Sequence, residues 1–190
     1  MISLTPTRLL ILVVVVLVIL IYAQYYSKYS NGYNITQTYL DKINLNILYE
    51  RNPIIIYDSI KTPKQLLKTL FKYSYISKNE YTINTTQVYQ SKSKFSFMYH
   101  TGQKTDIVMV NLINPIYKAD FKEWKKNKTG VTFSNTPLEK TSVEFVSVKL
   151  KPFQVLIVPS HWMLQVVEPE EVIKVDLDDV FTYFYFKIIT

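Results

Sequence analysis

The sequence predicts a single transmembrane helix at the N-terminus followed by a mainly β domain of sandwich, barrel or jelly-roll type, with two helices ahead of the strands. Three observations carry that expectation. An uncharged run of fifteen residues, Leu9 to Ala23 (LLILVVVVLVILIYA), lies near the start of the 190-residue chain. From Tyr81 onward the apolar positions change from helical spacing to alternation. Eight or nine short apolar runs then follow, separated by turn residues and without an internal repeat.

A helix over Leu9–Ala23 would rise about 23 Å, and Thr5 to Thr7 with Tyr25 and Tyr26 would extend it towards the roughly 30 Å of a bilayer core. In that reading Leu9, Leu10, Ile11, Val14, Val16, Ile19 and Ile21 face lipid, and Tyr22, Tyr25 and Tyr26 form an aromatic belt. A cleaved signal peptide is the alternative. It is disfavoured because Ile21-Tyr22-Ala23 offers one small residue at the cleavage position. Arg8 before the run and Lys28 after it lean weakly towards a cytoplasmic N-terminus. The expected organisation is therefore an anchor over 1–26, a linker over 27–35 and a β domain over 36–190, placed at a membrane as a single-pass protein.

Composition excludes some chemistry. The chain has no cysteine, so neither a disulfide framework nor a thiolate site is available. Sixteen Tyr and ten Phe supply apolar area in its place. Net charge is +7 and unevenly spread: residues 61–128 hold thirteen lysines against four acids, and residues 139–190 hold five against eight. A basic face of this kind suits an acidic partner or anionic head groups, and equally a solvated lysine surface. Abundant Lys, Asn, Ile and Tyr with two alanines and three glycines point to an AT-rich genome, such as those of large DNA viruses and some parasites.

In chain order, Tyr39, Leu40, Ile43, Ile47 and Leu48 recur at helical spacing, so Thr36–Arg51 reads as an amphipathic helix ended by Pro53. Ile54-Ile55-Ile56-Tyr57 reads as a buried strand. Thr62-Pro63-Lys64-Gln65 is a helix start with cap, N1 proline and capping-box glutamine, ahead of the stripe Leu66, Leu67, Leu70, Phe71 and Tyr75. Strands are expected over 81–89, 94–100, 106–113 and 142–150, with a short helix over 115–127 and a polar loop over 128–139. Phe145 beside Val146 suggests a bulge. A hairpin over 148–167, a turn at 168–171, a strand over 172–175 and an aromatic strand over 180–189 complete the chain.

The hairpin VKLKPFQVLIVPSHWMLQVV resembles the late hairpin of the cupin-like, JmjC-related Fe(II)/2-oxoglutarate oxygenases, L-x-x-G-D-x-L-x-I-P-x-x-W-x-H-x-V. Leu150, Leu156, Val158, Pro159, Trp162 and Val166 fit that frame. Asn52-Pro53-Ile54-Ile55-Ile56 is similar to the K-P-V-V-I segment that opens such domains after a first helix. The resemblance implies a jelly roll of the double-stranded β-helix kind. It also implies a degenerate member. Phe153 stands where the family has its turn glycine, and Leu164 stands where it has an iron-binding histidine. In the family the first two ligands come as H-x-D, and the match here is His100-Thr101-Gly102, without the aspartate.

No metal, cofactor or catalytic residue is therefore expected, with His100, Gly102 and Leu164 as the degenerate positions. A rearranged site of His100, His161 and Asp106 is the competing arrangement. Asp176, Asp178 and Asp179 alternate like part of a calcium loop but lack its glycine and closing glutamate. Nucleic acid is not expected as a partner, because the chain has two arginines and no recognised motif.

The functional expectation is a non-catalytic, membrane-anchored structural or interaction module, such as a minor capsid component tying the internal membrane of a large DNA virus to its shell. Its partners would be the bilayer and capsid proteins. The alternatives are an Fe(II)/2-oxoglutarate hydroxylase with displaced ligands and a lumenal or secreted binding protein. The last would use the sequons at Asn34, Asn84 and Asn127.

Overall fold

A computed structural model of the chain describes residues 5–30, 32–58, 60, 77–83, 85–102, 107–126 and 131–183. Two six-stranded sheets face each other. In the first the order is β1 (Thr36–Thr38), β2 (Ile54–Ile56), β10 (Val155–Pro159), β5 (Phe95–His100), β12 (Val172–Asp178) and β3 (Ser77–Thr82). In the second it is β7 (Trp124–Lys126), β8 (Thr132–Ser134), β4 (Tyr89–Gln90), β11 (Met163–Val166), β6 (Val108–Ile113) and β9 (Val146–Leu150). Every pairing is antiparallel except β1 with β2. The strands from β3 to β6 alternate between the sheets, as do those from β9 to β12 after the β7–β8 excursion, except that β6 and β9 pair directly. That is the winding of a jelly roll.

Alternation along each strand sorts the core into layers. Met98, Leu156, Val158 and Val172 of the first sheet meet Tyr89, Val110, Leu112, Val148, Leu164 and Val166 of the second. Phe95, Phe97, Tyr99, Val155 and Ile157 point outward and are covered by Leu40, Ile43, Ile47 and Leu48. On the far side Ile113 and Met163 pack under Phe121, Leu138 and Val143. Both faces of each sheet are thus partly covered, which explains why β2 and β10 read as unbroken apolar runs rather than as alternation.

Several expectations are corrected. Among the described residues no helix is long and apolar enough to cross a membrane, so the transmembrane anchor and single-pass membrane location do not stand. Helix α1 runs Pro6–Ser27. Its uninterrupted apolar stretch, Leu9 to Ala23, would rise only about 23 Å, against a hydrocarbon core of roughly 30 Å. The extension through its last turns is not free for an interface either, because those turns are docked on the β domain. The Tyr22 hydroxyl donates to Asp179, the Tyr22 ring lies 4.8 Å from that of Phe181, and the Tyr25 hydroxyl donates to the Tyr49 carbonyl at 3.1 Å. Tyr22 and Tyr25 are therefore docking residues rather than a membrane belt. Leu9, Leu10, Ile11, Val14, Val16, Ile19 and Ile21 are 44–65% exposed.

The helix expected over Thr36–Arg51 is broken into β1, a 3-10 turn at Leu40–Lys42 and a short α2 at Leu45–Tyr49 capped by the Asn44 side chain. Asp58 takes the Leu40 amide, and β1 is held by the edge of β2, so tertiary pairing overrides the helical spacing. Where a helix over 115–127 was expected, Pro115–Asp120 forms a 3-10 turn and Trp124–Lys126 is β7. The loop 128–139 contains β8. Residues 180–183, expected as the start of a strand, are helical, with the Asp179 side chain accepting the Thr182 amide at 2.8 Å. The helix expected from Thr62 lies outside the described residues, as do Asn84 and Asn127; Asn34 is exposed.

Candidate functional site

The face of β5 that carries Ser96, Met98 and His100 looks between the sheets, since Met98 packs with Leu164, Tyr89 and Leu156. His100 closes the strand, is fully buried, and is paired in register with Val172. Its Nδ1 accepts the Gly102 backbone N–H at 3.0 Å. Gly102 adopts φ +69, and a Cβ built there would stand 3.0 Å from the Cβ of Pro152. Leu164, on β11, is 0% exposed inside the central layer. Phe153 in the β9–β10 turn has φ 64, the left-handed conformation that a glycine takes without strain.

These residues do not fit the iron that the family resemblance implies. His100 offers one imidazole, Gly102 has no side chain, and Leu164 offers only hydrocarbon. His161 sits in the β10–β11 turn at φ 73, and the cleft it lines is on the outer side of the second sheet. Asp106 lies outside the described residues. Among the described residues no three His, Asp or Glu side chains come together in a metal-holding group.

What the interior does hold is a polar cluster that the spacing of the sequence did not single out. Lys174, 2% exposed, pairs with Asp176 at 2.9 Å. Its ammonium also stands 5.3 Å from the centre of the Tyr89 ring. Ser96 donates to Asp176 and exchanges a 2.6 Å hydrogen bond with Ser91. The Tyr89 hydroxyl contacts the Met98 sulfur at 3.6 Å, and burial, helped by the Asp176 charge, pushes its pKa well up. Each charge thus has an internal partner, as burial requires. A signal was present in V-I-K-V-D-L-D, where apolar and charged residues alternate along one strand, although the strand was expected to end at Val175.

The three aspartates are not a calcium loop. Asp176 and Asp178 lie on β12, and Asp179 caps the helical turn after it. The Asp178 carboxyl is pushed up to about 6, mainly by burial and further by Asp176, against hydrogen bonds from the Lys94 amide, Thr182 and Ser93. Burial also works upward on Asp179. There the hydrogen bonds from Lys94, Thr182 and Tyr22 outweigh it and hold the carboxyl below its usual range.

Two of the clefts among the described residues open on the outer side of the second sheet. One, about 360 Å³, is lined by amides and hydroxyls including Gln87, Asn111, Asn135 and Gln165. Those groups mostly bond to each other: Asn111 donates to Gln165 at 2.8 Å and Ser147 donates to Asn111 at 2.7 Å. The other, about 590 Å³, lies around Trp124 and Lys118. The chain matches no protein-family model and no curated protein sequence.

Proposed function

We propose that this chain is a non-catalytic jelly-roll module, related by fold to the cupin-like oxygenases, that serves a structural or interaction role through its outer surface. The observation that carries the reading is Leu164. A fully buried hydrocarbon side chain occupies the inward position at which the resembling family grips its metal, and its neighbours Met98, Tyr89 and Leu156 pack against it. Two of the interior charges, Lys174 and Asp176, pair with each other at 2.9 Å rather than facing an open cavity. Rigid sheets with a filled interior keep the part of the fold that a scaffold uses. The partner class is protein, within a larger assembly such as the shell of a large DNA virus, in keeping with the AT-rich composition.

Two measurements test this. Full-length protein incubated without oxygen with Fe(II) and 2-oxoglutarate, then exposed to air, should retain no stoichiometric iron and form no succinate; either product overturns the non-catalytic reading. Crosslinking in the source cells or particles, followed by mass spectrometry, should join the domain to proteins of a larger assembly. Recovery as an uncrosslinked monomer would remove the interaction role.

A further inference from the structure

The cleft around Trp124 has no part in that reading and has a chemistry of its own. Tyr29 from the segment after α1, Ile116 and Lys118 of the 3-10 turn, Trp124 of β7, and Gln90 with His161 line an open cleft of about 590 Å³. That falls within the size range of small-ligand sites. The Trp124 indole N–H donates to the Phe121 carbonyl at 3.0 Å, and its ring packs at 59° against Phe121 with centroids 6.2 Å apart. The ring is thereby fixed from one side while the side chain stays partly exposed. Tyr29 is 41% and Ile116 43% exposed on the same cleft, so apolar surface is presented without being covered. The cleft floor is tied together by the Gln90 amide, which donates to the His161 carbonyl at 3.2 Å.

The charge around the cleft is mostly positive. Lys118 stands on the rim, and Lys92 and Lys126 are close enough that, after burial, the charges of Lys118 and Lys126 hold the Lys92 amine below its usual range. Two acids lie on or beside these elements, and Asp120 stands in the chain between the lining residues Ala119 and Phe121. Glu123 accepts from the Asn135 side chain at 3.2 Å, and the charge of Asp120 falls on Tyr117.

We propose that this cleft binds a planar ring carrying a phosphate, the chemistry of a nucleotide, either free or within a single strand. A fixed indole is a stacking surface for any base, and lysine ammoniums are compact cations suited to phosphate. An acidic peptide would answer the lysines and leave the ring face uncovered. A nucleotide answers both. This departs from the expectation set by the scarcity of arginine, and it stands independently of the assembly reading.

The test uses the two tryptophans. Trp162 is 1% exposed, so ligand quenching reports Trp124. Full-length protein is titrated with AMP, adenosine, inorganic phosphate, oligo(dT) of increasing length, and a Glu-rich peptide. Saturable quenching by AMP or oligo(dT) is expected, with adenosine and phosphate alone each weaker by about tenfold or more. Because Trp124 is the reporter, the Trp124→Ala variant is titrated by calorimetry, where AMP or oligo(dT) binding should weaken about tenfold or more. Lys118→Glu and Lys126→Glu, both at exposed positions, should weaken binding about tenfold and flatten its salt dependence. Affinity rising with oligonucleotide length identifies a strand as the source; equal affinity for AMP and longer oligomers identifies the free nucleotide. No saturable quenching, indifference to both lysine reversals, or tighter binding of the peptide than of either nucleotide probe overturns the proposal.

Discussion

Lys174 and Asp176 stand two residues apart on β12 with both side chains turned between the sheets, and they form a 2.9 Å ion pair in which the lysine is 2% exposed. The two charges therefore depend on each other more than on solvent. Lys174→Met should remove the ammonium that balances the Asp176 carboxylate and lower unfolding stability by roughly 3 kcal/mol. Lys174→Met with Asp176→Leu should recover most of that loss. Urea unfolding of the three proteins checks both, and a double variant as weak as the single one would show that the pair holds more than itself.

Gly102 makes a second test possible at the degenerate ligand position. Its φ of +69 and the 3.0 Å approach of Pro152 Cβ mean that Gly102→Ala meets both backbone strain and a close contact. A loss of about 1–3 kcal/mol is expected by chemical denaturation. An aspartate meets the same obstacle, so restoring the family residue here should weaken the fold.

The two strands around Pro159 and Trp162 were legible because their apolar positions, proline and turn are local features, and β10 and β11 fall there with the expected turn between them. The expected hairpin does not form, because β10 pairs with β2 and β5 in the first sheet and β11 with β4 and β6 in the second. The alternation from 94 to 100 likewise became β5, with Phe95, Phe97 and Tyr99 on one face. What local pattern could not show was which partner would claim a segment. Leu40, Ile43 and Ile47 have helical spacing, yet the edge of β2 and the Asp58 carboxylate draw their segment into pieces. Tyr22 and Tyr25 looked like interfacial residues because their partners, Asp179, Phe181 and Tyr49, are distant in sequence. Leu164 was read as a lost ligand from the motif alone, whereas Lys174 and Asp176 were missed because β12 was expected to end at Val175.

Asp178 gives a pH dependence of definite sign. Its folded carboxyl titrates near 6, above the ordinary unfolded value of about 3.9, so between these pH values the folded chain keeps a proton the unfolded chain has lost. Stability from this group is greatest below about pH 4 and falls as pH rises through 6. Asp178→Asn should remove the fall. The variant should gain on the wild type by about 1–3 kcal/mol between pH 4 and pH 8, read from denaturant midpoints. Asp179, held low by Lys94, Thr182 and Tyr22, works oppositely: its contribution is present above its unfolded value and is lost as pH falls through the folded one.

Arg51 should be the residue that fixes the angle of α1. Its guanidinium donates to the Tyr25 and Lys28 carbonyls and to Ser160 Oγ at 3.1 Å, and it lies 5.4 Å from the Tyr25 ring centre. Arg51→Lys cannot reproduce that fork. Amide exchange over residues 22–30 should quicken about tenfold in the variant while β5, β10 and β12 stay protected. Unchanged exchange there would place the docking elsewhere.

The clamp between Tyr22 and Asp179 joins residues 157 positions apart. On a ribosome adding about 5–20 residues per second, roughly eight to thirty seconds separate the synthesis of one from that of the other. Through that interval α1 has been made and its docking site has not, so the last turns of the helix find their partners only once β12 and Asp179 have emerged.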